Sequence, residues 1–149
     1  GNFSWGPLVC LDSVFPSLSR SSSLRGANAI VYLTDDTFAE ETSAAYVHLR
    51  NTAFRAVETG RYVIFANESG PSAIFDAQGE IQAYVPRGVE GIAIATIPAL
   101  SGMTPYVLYG DWIGMLSVAI VALLALLAIG RSVRGAQRSG FAHRSRRLG

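Results

Sequence analysis

Residues 112–130, WIGMLSVAIVALLALLAIG, contain no charged side chain and a single hydroxyl, Ser117. A helix of this length rises roughly 28 Å, close to the ~30 Å hydrocarbon core of a bilayer. The buried helix of a soluble domain is usually shorter and keeps a polar stripe, so this run reads as a transmembrane helix. Its position near the C-terminus excludes a signal peptide. Charge is distributed unequally around it. Residues 1–111 hold eleven acids against six arginines, a net of −5, whereas residues 131–149 hold six arginines and no acid, a net of +6. Trp112 suits the membrane interface, and the arginines place the tail in the cytoplasm by the positive-inside rule. The expected organisation is therefore an extracytoplasmic domain over 1–111, a span over 112–130 and a basic cytoplasmic tail over 131–149. A nucleic-acid partner for the arginines is the rival reading, but their position directly after the span favours topology and anionic headgroups, so no nucleic acid is expected.

Half of the 149 residues are hydrophobic, enough for a core of ordinary domain size. The lone cysteine, Cys10, excludes an intrachain disulfide framework and four-cysteine zinc sites. His48 and His143 lack any HExxH-type spacing, so neither a metal nor another cofactor is expected. All twelve basic residues are arginines, and the chain contains no lysine.

Strand-like and helix-like stretches alternate before the span. GPLV ahead of Cys10 reads as a strand running into a turn and helix, ANAIVYLT (27–34) as a buried strand, and RYVIFAN (61–67) as another. Between the last two, residues 42–60 place Ala45, Leu49, Ala53, Ala56 and Gly60 at near-helical spacing, with Thr42 or Ser43 as cap and Gly60 as stop. Residues 72–85 form a hairpin turning at Asp76–Gly79, and GIAIATIPA (91–99) is a further strand. This order implies a layered α/β fold with a mixed sheet.

The ordered motifs GPLVCLDSVFP, ANAIVYLTDDTF, HLRNTAFRAVETGRYVIFAN, SGPSAIFDAQGEI and SGMTPYVLYGDW, followed by one terminal span, resemble the C-terminal part of the apolipoprotein N-acyltransferases. These belong to the carbon-nitrogen hydrolase (nitrilase) superfamily. The resemblance covers about residues 1–130, and TPYVLYGDW beside a span distinguishes the membrane acyltransferases from soluble nitrilases. It implies the C-terminal part of a nitrilase-like αββα sandwich followed by one transmembrane helix, with Cys10 as nucleophile. It also implies a phospholipid acyl donor, a cysteine thioester, and the N-terminal amine of a diacylglyceryl-cysteine apolipoprotein as acceptor, at the bacterial inner membrane. A thiolate is a good nucleophile, and a strand-to-helix turn presents it beside free backbone N–H groups. Composition alone makes a lone cysteine a core filler; the register of the motifs reverses that reading.

The family triad is Glu, Lys and Cys, with the first two lying tens of residues before the cysteine. Only nine residues precede Cys10, so the resemblance implies a fragment, inactive by itself, with one sheet face uncovered. Cys10-Leu11-Asp12 stands where the family reads Cys-Tyr-Glu, keeping a carboxylate. Thr34-Asp35-Asp36-Thr37-Phe38-Ala39 stands for Thr-Asn-Asp-Ala-Trp-Phe, and the paired acids are expected to raise one carboxyl pKa. Asp12 and Asp36 are the candidate site-supporting residues. Glu68 is a further acid at a strand end, equally compatible with a solvated loop. His48 invites a Cys–His dyad but reads as structural or substrate-proximal, since the family uses no histidine base. Arg55 and Glu58 form a local i, i+3 pair. Two alternatives stand beside acyl transfer: a non-catalytic, membrane-anchored binding module, and a membrane-tethered amidase of the same superfamily.

Overall fold

A computed structural model describes residues 2–39 and 42–145. The chain divides into two compact units, Gly1–Gly110 and Asp111–Gly149. In the first, strands β1 (Trp5–Val9), β2 (Ala29–Thr34), β3 (Tyr62–Asn67), β4 (Ser72–Phe75) and β5 (Ile81–Val85) form one sheet in sequential order. β1, β2 and β3 run parallel, and β4 and β5 continue antiparallel, giving the expected mixed sheet.

The two parallel crossovers are helices α1 (Pro16–Leu24) and α2 (Ala44–Thr59). Ile30, Tyr32, Val63, Phe65, Ala73 and Phe75 point from the sheet into a core shared with Leu49 and Ala56 of α2. α2 stops at Gly60, whose left-handed φ of 63° a β-carbon would penalise. α1 buries serines instead of aliphatics: Ser19, Ser22 and Ser23 face inward. Small residues let the helix approach β1 closely, and a β-carbon on Gly6 would come within 3.0 Å of Ser22 Cβ. The hairpin turns at Asp76–Gly79, where Asp76 Oδ1 accepts from the Gln78 and Glu80 N–H groups.

Residues 91–99 do not join the sheet. They run without a ladder partner, with Ile92 and Ile94 at 87% and 82% exposure. The expected strand is corrected to an unpaired segment, because a β-favouring sequence still needs a neighbouring edge to bond with. Residues 88–93 wall a groove of about 810 Å³ over the sheet face opposite the helices, lined also by Leu33, Ile64, Ala66, Ile74 and Val85. Leu33 and Ala66 are exposed on that face, while Ile74 is buried.

Arg61, 1% exposed, closes the opposite end of the strands. Its guanidinium donates to the carbonyls of Ala27 (2.7 Å), Gly60 (3.2 Å) and Gly102 (2.6 Å). Arg20 on α1 donates to the carbonyls of Tyr106 and Leu108, holding the short helix α3 (Pro105–Tyr109). Thr104 caps α3 by accepting from the Val107 N–H.

The second unit is the helix α4 (Trp112–Ser145), of which Trp112–Arg131 is long and apolar enough to cross a membrane. The Ser117 hydroxyl donates back to the Ile113 carbonyl at 2.8 Å, satisfying itself within the helix. The helix continues beyond residue 130, so most of the expected separate tail is backbone of the same helix. The last four tail residues, 146–149, lie outside the described residues.

Tyr32 gives the fold a pH dependence. It is fully buried, its hydroxyl 2.5 Å from Ser19 Oγ, and burial pushes its phenol from 10.0 up to about 12. The fold accepts the neutral phenol and resists the phenolate. This contribution is complete below pH 10 and is lost as pH rises through about 12. A two-unit shift corresponds to roughly 2–3 kcal/mol. Urea titrations between pH 9 and 12 are expected to show falling stability, with the Tyr32→Phe variant giving a flatter profile.

Candidate active site

The parallel register brings the C-terminal ends of β1, β2 and β3 side by side, with Val9 opposite Leu33 and Leu33 opposite Ala66. Loops leaving this edge converge, the usual place for chemistry in an open α/β sheet. Cys10 is the first residue beyond β1 and opens a 3-10 turn, Cys10–Val14. Its φ is 49°, the one left-handed non-glycine residue among the described residues. For a residue with a β-carbon this costs about 1–2 kcal/mol. The strain turns the chain sharply between β1 and α1 and leaves the thiol half-buried.

Asp12 lies on the same turn. Its carboxylate accepts from the Val9 N–H at 2.9 Å, and its carbonyl accepts from the Phe15 N–H at 3.1 Å. It therefore braces the turn from both ends. Leu11 and Val14 are exposed on the same turn, and Phe15 follows, also exposed.

Asp36 sits just past β2 and is 1% exposed. Its carboxylate accepts from His48 Nδ1 at 2.9 Å and from Asn67 Nδ2 at 2.7 Å. The far side of the imidazole, Nε2, lies 2.7 Å from Ser13 Oγ and 3.2 Å from the carbonyl oxygen of Cys10. His48 itself is 5% exposed and stacks edge-on against Phe65. Asp36 is thus joined to the cysteine turn through the histidine, whereas Asp12 reaches that turn directly. The imidazole thus meets the cysteine turn at Ser13 and beside the Cys10 carbonyl.

Asp35 faces outward and accepts from the Thr37 N–H and the Thr37 and Ser69 hydroxyls. These bonds, the Thr37 hydroxyl first, hold its carboxyl below the ordinary value. The raised carboxyl expected from two adjacent acids is thereby corrected at Asp35: its partners are donors, and its neighbour turns inward to other partners. Glu68 borders the open groove, its N–H bonded to the Thr34 carbonyl. Arg55 and Glu58 do pair at 2.8 Å, with the arginine buried.

Ser13, His48 and Asn67 were not singled out together by the sequence. The available signal was polarity on a buried stripe: His48 falls between Ala45 and Leu49 on the inward face of α2, and Thr52 follows one turn later.

Residues 2–106 match the carbon-nitrogen hydrolase family. The chain belongs to that family. Within it, the chain is 33% identical over 136 residues to apolipoprotein N-acyltransferase 1 of Treponema denticola, covering 89% of this chain and 25% of that protein. It is 39% identical over 127 residues to the apolipoprotein N-acyltransferase of Gloeobacter violaceus, covering 85% and 24%. The chain thus spans about a quarter of the length of these relatives. Among solved structures it is similar to an amidase mutant from Nesterenkonia sp. AN1 whose active-site cysteine carries a Michael adduct of acrylamide. That match has 25% identity and a TM-score of 0.52, covering 68% of this chain and 41% of that one.

The Asp12 brace yields a test. Asp12→Asn keeps an acceptor for the Val9 N–H and is expected to stay within about 0.5 kcal/mol of the parent, whereas Asp12→Ala loses about 1 kcal/mol. Urea midpoints of the two variants check the difference.

Proposed function

We propose that the complete protein is a membrane-bound acyltransferase in which Cys10 is the nucleophile, and that it acts on lipoproteins. The observation that carries this reading is the strained, half-buried cysteine at the end of β1, within a family match and alongside relatives named apolipoprotein N-acyltransferase. In the first half-reaction the Cys10 sulfur attacks the ester carbonyl of a phospholipid. A C–S bond forms, the C–O bond breaks, and the lysophospholipid leaves with the proton. In the second, the α-amine of a diacylglyceryl-cysteine attacks the thioester, the C–S bond breaks and the thiol is restored. A Glu as general base and a Lys at the oxyanion are the partners the family resemblance implies. Since the chain has no lysine, the Lys must come from outside residues 1–149. Asp12 and Asp36 support the turn without taking part in bond making.

The acyltransferase reading stands ahead of an amidase because the relatives named acyltransferases are more similar, at 33% and 39%, than the amidase at 25%. Intact mass spectrometry after incubating the complete protein with phospholipid and no acceptor is expected to show a hydroxylamine-sensitive acyl adduct on the peptide containing Cys10. Cys10→Ala is expected to abolish both adduct and lipoprotein N-acylation. Cys10→Ser falls close to it, because a hydroxyl ionises far less readily than a thiol. Normal N-acylation by Cys10→Ala would return the cysteine to a structural role. The 149-residue chain alone is expected to show no turnover.

The same reading sets the topology: residues 1–111 outside the cytoplasm, 112–130 in the inner membrane and 131–149 inside, following the charge step from −5 to +6. An alkaline phosphatase fusion after Gly149 is expected to be inactive and a cytoplasmic fluorescent fusion bright. The reverse pattern would overturn the orientation.

A further inference from the structure

The chain Asn67–Asp36–His48–Ser13, half-buried at Asn67 and buried at the other three, runs from the end of β3 through the β2 exit and α2, and ends on the turn that holds the nucleophile. Every link is a short polar contact. Asn67 Oδ1 accepts from the Asp36, Ser69 and Gly70 N–H groups, which fixes its amide with Nδ2 toward the Asp36 carboxylate. A carboxylate only accepts, so the proton on His48 facing it is on Nδ1; Nε2 then accepts from the Ser13 hydroxyl, and the Cys10 carbonyl oxygen, itself only an acceptor, lies 3.2 Å away without bonding to it. The order Asp–His–Ser imitates a hydrolase triad, yet Ser13 is 0% exposed and no substrate can reach its oxygen. Nor does His48 serve as base to the thiol, since Nδ1 is engaged by Asp36 and Nε2 by Ser13. What the relay bonds is the side chain three residues after the one left-handed non-glycine residue at the site, on the same 3-10 turn.

We propose that His48, oriented by Asp36, is a positioning residue for the Cys10 nucleophile: by accepting from the Ser13 hydroxyl it holds the left-handed turn that aims the thiol. A strained backbone persists only where its surroundings over-determine it. Asp12 braces that turn from solvent, and the His48 relay braces it from the core. The inference rests on the nucleophile assignment for its catalytic consequence, but its geometric content concerns the orientation of Cys10 alone.

The test separates contact with the core from contact with the turn. His48→Asn places an amide donor near Asp36 but is too short to reach Ser13, while His48→Gln extends toward Ser13 and gives up the Asp36 bond. In the complete protein, single-turnover acylation of Cys10 by phospholipid is followed by intact mass, in parallel with alkylation of the native thiol by iodoacetamide. Urea midpoints are recorded for each variant. His48→Asn and Ser13→Ala are expected to slow acylation by about 10–100-fold, the range associated with small misplacements of reacting groups. They are also expected to slow native alkylation by about tenfold, with unfolded chains all alkylating at the parent rate. His48→Gln is expected to retain more of both rates than His48→Asn even where it is the less stable variant. Rates that follow stability rank, with Gln below Asn, would overturn the proposal, as would parent-like rates in His48→Asn and Ser13→Ala. If the parent protein is never acylated, the acyltransferase reading fails by itself. The alkylation series then decides the positioning role.

Discussion

A guanidinium cannot shed its proton to escape burial, so Arg61 must be met by acceptors wherever the chain places it. It lies at the start of β3 and is met by three carbonyls, from Ala27 ahead of β2, Gly60 at the end of α2 and Gly102 ahead of α3. Desolvation lowers its pKa but leaves it charged. One side chain thereby fixes where β2 begins, where α2 ends and how residues 100–104 return to the sheet. Asn28 reinforces the last of these by donating to the Leu100 carbonyl at 3.0 Å. Buried charges of this kind are costly to orphan, because each unpaired carbonyl would forfeit its solvation as well.

With the strand N-terminal ends fixed, the parallel ladder carries that register to the other edge. β1, β2 and β3 end within a residue of one another in their pairings, so Cys10, Asp36 and Asn67 emerge together although they are far apart in sequence. The sheet has a cationic knot at one end and an anionic one at the other. Between them the helix side carries the apolar cluster under α2 and buried hydroxyls under α1. The site is precise because its parts hang from strand ends, not from loops alone.

Much of this was legible from periodicity. The strands over 27–34 and 61–67, the helix ending at Gly60, the Asp76–Gly79 turn and the apolar run after Trp112 each carry a local signal that the fold respects. α1 carries none: SLSRSSSL has no aliphatic stripe, because the helix buries hydroxyls against Gly6 and against the Tyr32 phenol. Residues 91–99 failed in the other direction, since alternation speaks of β preference and not of a partner. Cys10 and Asp36 could be selected from motif register, but the histidine joining them could not, as only the α2 rotation places His48 between both.

The unpaired stretch has a consequence for how this sequence behaves when handled. The stretch 92–97 is short, uncharged and rich in β-branched residues, with Ile92 and Ile94 exposed, the composition from which intermolecular cross-β contacts grow. Glu90 stands just before it and Pro98 just after it, a charge and a missing N–H that act as gatekeepers on either side. Self-association through this segment is thus opposed at its ends, with seven residues between those two guards.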